Sequence, residues 1–440
     1  MPNVILPTLH AGQVRVWNER ARFNRVRCGR RWGKTEFGKT VGGSQAAKGR
    51  SVGWFAPDYK IQSEAYNELL DIITPIKKQA SKIEGRMETT TGGRIDFWSL
   101  ENERAGRSRK YHDVIIDEAA FTKPNMVEIW ERSIKPTLFD LGGRAWVLST
   151  PNGTAADNFF YLLNDVEKFG FKDHHAPTAD NPLLPLIRPG ETPEEWMERR
   201  VAELLKLKND NHPLVYQQEY LAEFVDWSGT AFFSVSSLLD AAGNPYDMPT
   251  KCDAVFAVID TAIKTGSKND GTGVSFYALM PAVMGREGRL IVLDWDIVQI
   301  EGSLLESWLP TVYERLEELA TMTGARMGTT LGVFIEDQAS GIILLQQAKR
   351  RGWNARPIDG KLTAMGKDER AISISGYVYR GEVKICRYAY EKVKKYKEIS
   401  RNHFLTQVTG FRIGVKDQSD DLLDTFCYAI SIALGNTRGY

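Results

Sequence analysis

Residues 28–35 read CGRRWGKT, and this stretch decides the fold of the N-terminal half of the chain. The apolar pattern before it predicts a strand over Phe23–Cys28, and the pattern after it predicts a helix over Thr35–Ala47. A strand, a tight loop and Gly-Lys-Thr at a helix start make a phosphate-binding loop, because backbone N–H groups and the helix N-terminus hold anionic oxygens. In such a loop Lys34 contacts the β- and γ-phosphates of ATP, and the Thr35 hydroxyl binds Mg²⁺.

A second motif supports this interpretation. The usual loop pattern has glycine where this chain has Cys28, so the loop is a variant and is a weak signal by itself. Residues 114–118 read VIIDE, which is an apolar strand ending in two acidic residues. In an ATPase Asp117 would hold Mg²⁺ through water, and Glu118 would orient the water that attacks the γ-phosphate. The two motifs together predict ATP hydrolysis.

Three polar residues outside these motifs extend the predicted ATP site. Ser149 and Thr150 end the next strand, where a polar pair can sense the γ-phosphate and transmit its loss. Gln13 lies upstream of the first strand, from where it can contact the adenine edge.

Arginines stabilise the charge of a phosphoryl-transfer transition state. Arg30 and Arg31 lie inside the loop and can act within the same chain. Arg107 and Arg109 precede the acidic strand and can reach a neighbouring subunit. A surface ion pair is the alternative for each of them, and the sequence leaves the choice open.

The C-terminal half carries a second set of acidic residues. Asp260 directly follows one apolar strand pattern, and Glu336 and Asp337 directly follow another. Adjacent residues of a strand point to opposite faces, so one of Glu336 and Asp337 is expected to face a shared site. Asp421 and Asp424 lie three residues apart at the start of a helical pattern and share a face.

Gathering these carboxylates concentrates negative charge, which is unfavourable unless cations neutralise it. Two divalent ions about 4 Å apart would do so, and they would activate water and stabilise the leaving oxygen of a phosphodiester. A ligand set made only of oxygens favours Mg²⁺ or Mn²⁺ over zinc. The set therefore predicts a metal-dependent nuclease, although each carboxylate taken singly is also explained by helix capping or a solvated loop.

The order of the patterns predicts two α/β domains. Strands alternate with helices up to about residue 150, which predicts a mainly parallel sheet covered on both faces. After residue 251, three successive strands followed by a mixed order of strands and helices resemble the ribonuclease-H-like fold. The predicted boundaries are 1–160 for a P-loop ATPase core, 161–225 for a small lid subdomain, 226–250 for a connection and 251–440 for the nuclease domain.

Composition excludes several other classes of protein. The chain has 440 residues, 26% of them charged, and a net charge of +1, which gives no overall argument for nucleic-acid binding. No apolar run approaches the roughly 20 residues that span a bilayer, and the N-terminus lacks a signal-peptide pattern. The four cysteines form no Cys-x-x-Cys pair, so we expect an intracellular protein without a zinc site or a disulfide framework. Basic clusters at 104–110 and 392–401 are interpreted as solvated faces or DNA contacts.

The combined pattern resembles the large terminase subunit of tailed bacteriophages and the related herpesvirus packaging subunit. The order and spacing of five stretches carry the resemblance over most of the chain: RRWGKT at 30–35, IDEA at 116–119, LSTPNG at 148–153, IEDQASG at 335–341 and DLLDTFCYA at 421–429. Loops of this family often lack the first glycine, so Cys28 is compatible with the resemblance.

The resemblance implies a RecA/ASCE-like P-loop ATPase with a lid, followed by a ribonuclease-H-like nuclease. It implies a motor that drives viral double-stranded DNA into a procapsid and an endonuclease that cuts the concatemer, with ATP and Mg²⁺ as cofactors and Mn²⁺ possible at the nuclease site. The implied partners are the portal protein, the small terminase subunit, the procapsid and further copies in a ring on the portal, with no membrane. The implied location is the host cytoplasm, outside the mature virion.

The resemblance also implies roles for individual residues. Lys34 and Thr35 match the residues that bind phosphate and Mg²⁺, Glu118 matches the catalytic glutamate, and the pair 149–150 matches the coupling motif. Asp260 matches the first nuclease carboxylate. The second is Glu336 or Asp337, of which we favour Asp337, and the third is Asp421 or Asp424, because both positions are acidic in relatives.

Three alternative functions fit the sequence less well. A helicase-nuclease of DNA repair or recombination needs a second motor domain, and the chain after Thr150 leaves no room for one. An adaptor with a decayed ATPase predicts the loss of acidic residues that are present at Asp117, Glu118 and Asp260. A structural capsid or portal protein needs neither catalytic set.

Overall fold

The computed structural model describes residues 4–227, 232–261, 271–281, 287–299, 305–325, 330–337, 340–415 and 418–435. The chain forms two compact units. The first comprises residues up to Lys208 together with Pro213–Asp226, and the second comprises Asn209–His212 together with residues from Trp227 onward. Residues 228–231 of the predicted connection, and residues 338–339 of the stretch IEDQASG, lie outside the described residues.

The first unit is built around one sheet. Its strands are β1 (Phe23–Cys28), β2 (Ser51–Ala56), β3 (Lys77–Ser81), β4 (Arg86–Thr89), β5 (Arg94–Ser99), β6 (Asp113–Ile116), β7 (Arg144–Ser149) and β8 (Lys172–Ala176). The helices up to the end of this unit are α1 (Ala11–Asn18), α2 (Lys34–Ala47), α3 (Tyr59–Ile73), α4 (Met126–Ile129), α5 (Phe159–Leu162), α6 (Val166–Phe169), α7 (Pro193–Asp210) and α8 (Pro213–Glu219). Short 3-10 or π-helical turns cover Thr74–Ile76, Ala119–Phe121, Trp130–Ile134, Lys135–Leu138 and Thr178–Asp180.

The strand order of this sheet is β3-β4-β5-β2-β6-β7-β1-β8. All neighbours from β5 to β8 pair in parallel, and β3, β4 and β5 pair antiparallel at one edge, so the predicted mainly parallel sheet is confirmed. Strand β7 lies between the loop strand β1 and the acidic strand β6, which is the arrangement of a RecA/ASCE-like ATPase. Strand β8 completes this sheet although its residues fall in the range 161–225 that the sequence assigned to a lid.

The hydrophobic core of the first unit lies on both faces of its sheet. Along β6, Ile115 belongs to one buried cluster and Val114 and Ile116 belong to the other, as the alternation of strand side chains requires. The first cluster includes Phe37 of α2, and the second includes Phe159 of α5. Two covered faces explain why β6 reads as an uninterrupted apolar run.

The second unit contains another α/β sheet. Its strands are β9 (Ala254–Asp260), β10 (Thr272–Leu279), β11 (Leu290–Val298), β12 (Thr330–Ile335), β13 (Ala355–Pro357) and β14 (Val383–Ile385), with β15 (Lys394–Tyr396) and β16 (Ile399–Arg401) as a separate hairpin. Its helices are α9 (Leu305–Met322), α10 (Ser340–Arg350), α11 (Gly360–Thr363), α12 (Lys367–Tyr379), α13 (Arg387–Glu391), α14 (His403–Gly410) and α15 (Asp421–Leu434), and Val235–Leu238 is a 3-10 turn.

The order of the second sheet is β13-β12-β9-β10-β11-β14. Strands β9, β10 and β11 pair antiparallel, β12 pairs in parallel with β9, and β13 pairs in parallel with β12. This order of three antiparallel strands extended by parallel strands beside the first is the ribonuclease-H-like arrangement, as predicted. Helix α15 packs on β9, β10 and β11, and α9 packs on β9 and β12. Within the described residues, no helix has the length and apolar character to cross a membrane.

Candidate functional site

The loop between β1 and α2 has the backbone of an anion-binding turn. Arg31 and Gly33 have positive φ angles of 66° and 96°, and Gly33 is the N-cap of α2. Gly33 has no side chain that could accept a hydrogen bond from the first N–H groups of α2, so these groups are suited to an anion. The carbonyls of Arg30 and Arg31 point the other way, because they accept hydrogen bonds from Thr178 (2.7 Å) and Asn181 (2.9 Å).

Gln13, in the first turn of α1, supports this loop. Its Nε2 donates to the Gly33 carbonyl oxygen at 2.9 Å, and its Oε1 accepts from the His10 backbone N–H at 3.0 Å. A Cβ added at Gly33 would lie 2.8 Å from Nε2 of Gln13, so the side chain fits closely against a glycine. The Gln13 side chain is 3% exposed and holds the loop, and its contact with adenine stays a prediction.

Lys34 and Glu118 face each other across the space above the strand ends. The Lys34 Nζ lies 2.9 Å from Oε1 of Glu118, and both side chains are partly exposed. Burial alone would lower the pKa of Lys34, but the adjacent Glu118 carboxylate overcomes it and raises that pKa. A phosphate can replace Glu118 as the partner of Lys34.

Thr35 and Asp117 form the second contact between the two motifs. The Thr35 hydroxyl donates to Oδ2 of Asp117 at 3.2 Å, and Asp117 is 2% exposed. Burial and the neighbouring Glu118 charge raise the pKa of Asp117 to about 6. A divalent cation at this place would relieve that unfavourable charge, and hydroxyl and carboxylate oxygens are ligands that Mg²⁺ prefers.

Ser149 links the end of β7 to the acidic pair. Its hydroxyl accepts from the backbone N–H of Ala120 at 3.1 Å and lies 3.5 Å from Oε2 of Glu118, which has a positive φ of 51°. Thr150 is 3% exposed, and its hydroxyl has no hydrogen-bond partner among the described residues. The strand order explains this contact, since β7 separates β1 from β6 and therefore ends between the two motifs.

The arginines of the loop differ in their partners. Arg30 forms an ion pair with Glu219, which ends α8 and which the sequence analysis did not single out. Arg31 is exposed. Of the two arginines before β6, Arg109 has its Nε 3.9 Å from Oδ2 of Asp96. The identity of any transition-state arginine therefore stays open.

In the second unit, strand register brings Asp260 and Glu336 together. Ile335 of β12 pairs with Ile259 of β9, so the residues that follow them, Glu336 and Asp260, lie side by side. The Glu336 backbone N–H donates to the Ile259 carbonyl at 3.4 Å. The sequence analysis favoured Asp337, which is exposed one residue further along, whereas the geometry places Glu336 next to Asp260.

The start of α15 completes this group of carboxylates. Gly273 of β10 pairs directly with Asp260, and a Cβ added there would lie 2.8 Å from the Asp421 carbonyl oxygen, so a glycine is needed for α15 to come this close. Asp421 is 2% exposed. Desolvation, the charge of Asp424 and a hydrogen bond with Glu336 raise the pKa of Asp260 well above its usual range.

Two residues that the sequence analysis did not single out contact these carboxylates. Arg370 of α12 lies with its Nη1 2.5 Å from Oδ1 of Asp424, and the Tyr428 hydroxyl donates to Oε1 of Glu336 at 3.4 Å. No local pattern marks Arg370, because α12 is far from α15 in the chain. Tyr428 lies two turns after Asp421 on α15, and this spacing suggests that the two residues share a face of the helix.

The donor set suits a hard cation, but the side chains do not form a finished site. The acidic side chains offer oxygen ligands only, and their mutual repulsion is what a divalent cation would relieve. In the part of the chain that the structure describes, no group of three or more His, Cys, Asp or Glu side chains is arranged to hold a metal ion.

The basic cluster at 392–401 is largely neutralised within the second unit. Lys392 lies 2.6 Å from Asp294, Lys394 forms an ion pair with Asp296, and Lys395 lies 2.7 Å from Glu398. These contacts favour a structural role for the three lysines over a contact with DNA.

Comparison with solved structures identifies the fold. The chain is similar to the large terminase from a thermophilic bacteriophage, with a TM-score of 0.61, 12% sequence identity, and coverage of 97% of this chain and 100% of that one. It is also similar to the large terminase of that bacteriophage in complex with ATP-gamma-S, with a TM-score of 0.59, 13% identity, and coverage of 96% and 98%. No protein-family model and no curated protein matches the sequence. At these identities the likeness concerns the fold, and the chain has the fold of a bacteriophage large terminase.

Proposed function

We propose that this chain is the motor and nuclease subunit of a viral DNA-packaging machine. ATP hydrolysis in the first unit drives double-stranded DNA into a procapsid, and a metal-dependent endonuclease in the second unit cuts concatemeric DNA. The observation that carries this proposal is that one chain with a terminase fold holds two separate sets of facing polar residues. The first is Lys34, Thr35, Asp117 and Glu118, and the second is Asp260, Glu336, Asp421 and Asp424.

The proposed ATPase roles follow from the geometry around the loop. The N–H groups at the start of α2 bind phosphate oxygens, and Lys34 exchanges Glu118 for the γ-phosphate. Thr35 and Asp117 hold Mg²⁺, which neutralises charge on the phosphates. Once Lys34 has left, Glu118 is available to orient the attacking water.

Ser149 and Thr150 are proposed to report the state of the nucleotide. The contact of Ser149 with Glu118 and Ala120 ties the end of β7 to the catalytic glutamate, and the buried Thr150 hydroxyl is available for a further partner. Loss of the γ-phosphate then alters the end of β7 and moves the part of the predicted lid that follows β8, residues 177–225, and this movement changes the grip on DNA.

The nuclease roles follow from the carboxylates at the ends of β9 and β12 and the start of α15. Asp260 and Glu336 are the central metal ligands, with Asp421 and Asp424 beside them. The bound Mg²⁺ or Mn²⁺ supplies an activated water and stabilises the leaving oxygen. The residues of the chain hold the cations and direct them at a phosphodiester.

The partners and location belong to the same proposal. We expect the chain to act on viral double-stranded DNA, on the portal of a procapsid, with a small terminase subunit and further copies of itself in a ring. Such a machine works in the host cytoplasm and is absent from the mature virion.

The ATPase half is tested with Glu118→Gln, which keeps the shape of the side chain but removes its charge. We expect ATP hydrolysis to fall by at least about a hundredfold, while binding of ATP, measured by isothermal titration calorimetry, is retained. Hydrolysis at the wild-type rate would contradict the assignment of Glu118.

The nuclease half is tested by cleavage of supercoiled plasmid in Mg²⁺ or Mn²⁺, with Asp260→Ala beside the wild type. We expect metal-dependent cutting that the substitution abolishes, with ATP hydrolysis of the variant unchanged as the control for folding. Cutting that persists in Asp260→Ala would place the nuclease chemistry elsewhere or attribute it to a contaminant.

A further inference from the structure

Arg370 is a buried cation aimed at the carboxylates of the second unit. It lies in the first turn of α12, is 5% exposed, and places Nη1 2.5 Å from Oδ1 of Asp424. Its Nη2 donates to the Met365 carbonyl at 3.0 Å, and its guanidinium lies over the ring of Tyr428 at 4.3 Å from the centroid. Three contacts in three directions fix the guanidinium, so it has a single position next to Asp424.

Arg370 provides a counter-charge for the acidic group. Asp260, Glu336 and Asp424 are close enough to interact, and burial of several carboxylates without a counter-charge is strongly unfavourable. Arg370 supplies one positive charge, and through Tyr428, whose hydroxyl contacts Glu336, it also borders the second carboxylate. The guanidinium therefore does part of what a divalent cation would do there.

We propose that Arg370 is a positioning residue that holds Asp424 through their ion pair and competes with a divalent cation for it. This inference rests on the proposed nuclease function. A cation that enters beside Asp260 and Glu336 recruits Asp424 only when the ion pair with Arg370 opens. Arg370 thereby lowers the affinity of the site for metal and keeps the nuclease incomplete until metal and substrate are both bound.

Titration of the full-length chain with Mn²⁺ alone, in the absence of DNA, tests the competition directly. We compare wild type with Arg370→Gln by isothermal titration calorimetry and by the loss of the free-Mn²⁺ signal in electron paramagnetic resonance. The Gln side chain keeps hydrogen-bonding capacity but not the charge, so the dissociation constant for Mn²⁺ should fall about tenfold or more. The rise in melting temperature on adding Mn²⁺ should be larger in the variant by the same linkage.

Lys367→Gln is the matched control. Lys367 lies one turn before Arg370 on α12 and pairs with Asp420, but its side chain is 49% exposed, so its charge is screened by water. Lys367 also acts on Asp424 through its charge, but less than Arg370 does, so we expect its removal to lower the Mn²⁺ dissociation constant by a smaller factor than Arg370→Gln does. A second variant, Arg370→Met, also removes the charge but keeps a long apolar side chain against Tyr428, and it is measured in case Arg370→Gln does not fold.

A double-mutant cycle ties the effect to Asp424. In an Asp424→Asn background Arg370 has no carboxylate to hold, so Arg370→Gln should change Mn²⁺ affinity much less than it does in the wild type. If the wild type binds Mn²⁺ and the charge-removing variants Arg370→Gln or Arg370→Met bind it equally or more weakly, the inference is overturned and the nuclease proposal still stands. Failure of both the wild type and the variants to bind Mn²⁺ would overturn the nuclease proposal itself.

Discussion

Glu336 owes its place beside Asp260 to the register of two parallel strands. Because Ile335 and Ile259 are partners, the side chains one position further along project from the same face. Asp337 is the next residue and is exposed. Pairing across the sheet therefore places Glu336 next to Asp260, and the identity of the metal ligand stays a proposal.

The two acidic residues provide a matched pair of substitutions. We expect Glu336→Gln to reduce plasmid cleavage by at least about a hundredfold, because it removes a proposed metal ligand next to Asp260. Asp337→Asn should retain cleavage within a few-fold of the wild type. The opposite ranking of the two variants would restore Asp337 as the ligand.

Among the elements, α15 depends on a glycine in the strand beneath it. Gly273 has no side chain, so the first turn of α15 packs directly on β10 opposite Asp260. The start of a helical pattern at Asp421 was visible in the sequence, and α15 begins at that residue. Its distance from β9 was not visible, because a glycine inside a strand pattern does not say which element approaches it.

Gly273→Ala tests this approach. The added methyl group would press on the Asp421 backbone, so we expect the unfolding free energy of the second unit to fall by about 1–3 kcal/mol and plasmid cleavage to fall with it. ATP hydrolysis should be unchanged. Gly410→Ala is the control, because an added Cβ there meets no described atom within 4 Å. Wild-type cleavage in Gly273→Ala would show that the close approach is not required.

A buried histidine in strand β8 is expected to make the folding stability of the chain depend on pH. The strand pairs with β1 behind the phosphate-binding loop, and its His174 is 5% exposed and contacts Oδ1 of Asn24 at 3.2 Å. Burial and then the charge of Lys172 lower the pKa of His174 to about 4, from the ordinary 6.5. The remaining charged groups that act on it are Arg15, which lowers this pKa, and Glu19 and Asp173, which raise it.

The sign of the pH effect follows from the lowered pKa. Below pH 6.5 the unfolded chain binds a proton at His174, whereas the folded chain binds it only near pH 4. Folding stability is therefore lost as the pH falls from 6.5 to about 4. At pH 5 the loss from this group is about 2 kcal/mol. The unfolding free energy is measured with urea at pH 7.5 and at pH 5. We expect its decrease between these two pH values to be smaller in His174→Gln than in the wild type by this amount. His175→Gln, at the more exposed neighbouring histidine, is the control. An equal decrease in unfolding free energy between the two pH values in both variants would contradict the role given to His174.

At the scale of the whole molecule, the chain divides its proposed chemistry between two units with separate sheets. The residues proposed to bind nucleotide lie in the first unit, and the carboxylates proposed to bind metal lie in the second. Each unit has its own set of strands, so each proposed ligand should stabilise one of them.

Differential scanning calorimetry of the full chain should therefore show separable transitions. We expect Mg²⁺-ADP to raise the melting temperature of one transition and Mn²⁺ without nucleotide to raise that of the other, by several degrees at concentrations far above the dissociation constants. Lys34→Met should remove the nucleotide effect only, and Asp260→Asn the Mn²⁺ effect only. A single transition that both ligands shift equally would contradict independent units.

The sequence by itself determined most of the elements and both sets of polar residues. Periodicity and loop chemistry are local properties, so β1, α2, β6 and α15 were predicted within a residue or two of their bounds. The fold is similar to that of a solved bacteriophage large terminase, with a TM-score of 0.61, although the sequence identity is only 12%. Elements and motifs of this kind can be predicted because they depend on residues that are close together in the sequence.

Only the tertiary structure decided which of those residues meet. Pairing between strands placed Glu336 beside Asp260, and β8 in the first sheet despite its loop-rich surroundings. Packing between distant helices brought Arg370 to Asp424. Strand register and helix packing depend on contacts between residues that are far apart in the chain. The energies of these contacts arise only when the elements have assembled, so a local sequence pattern cannot predict which residues meet.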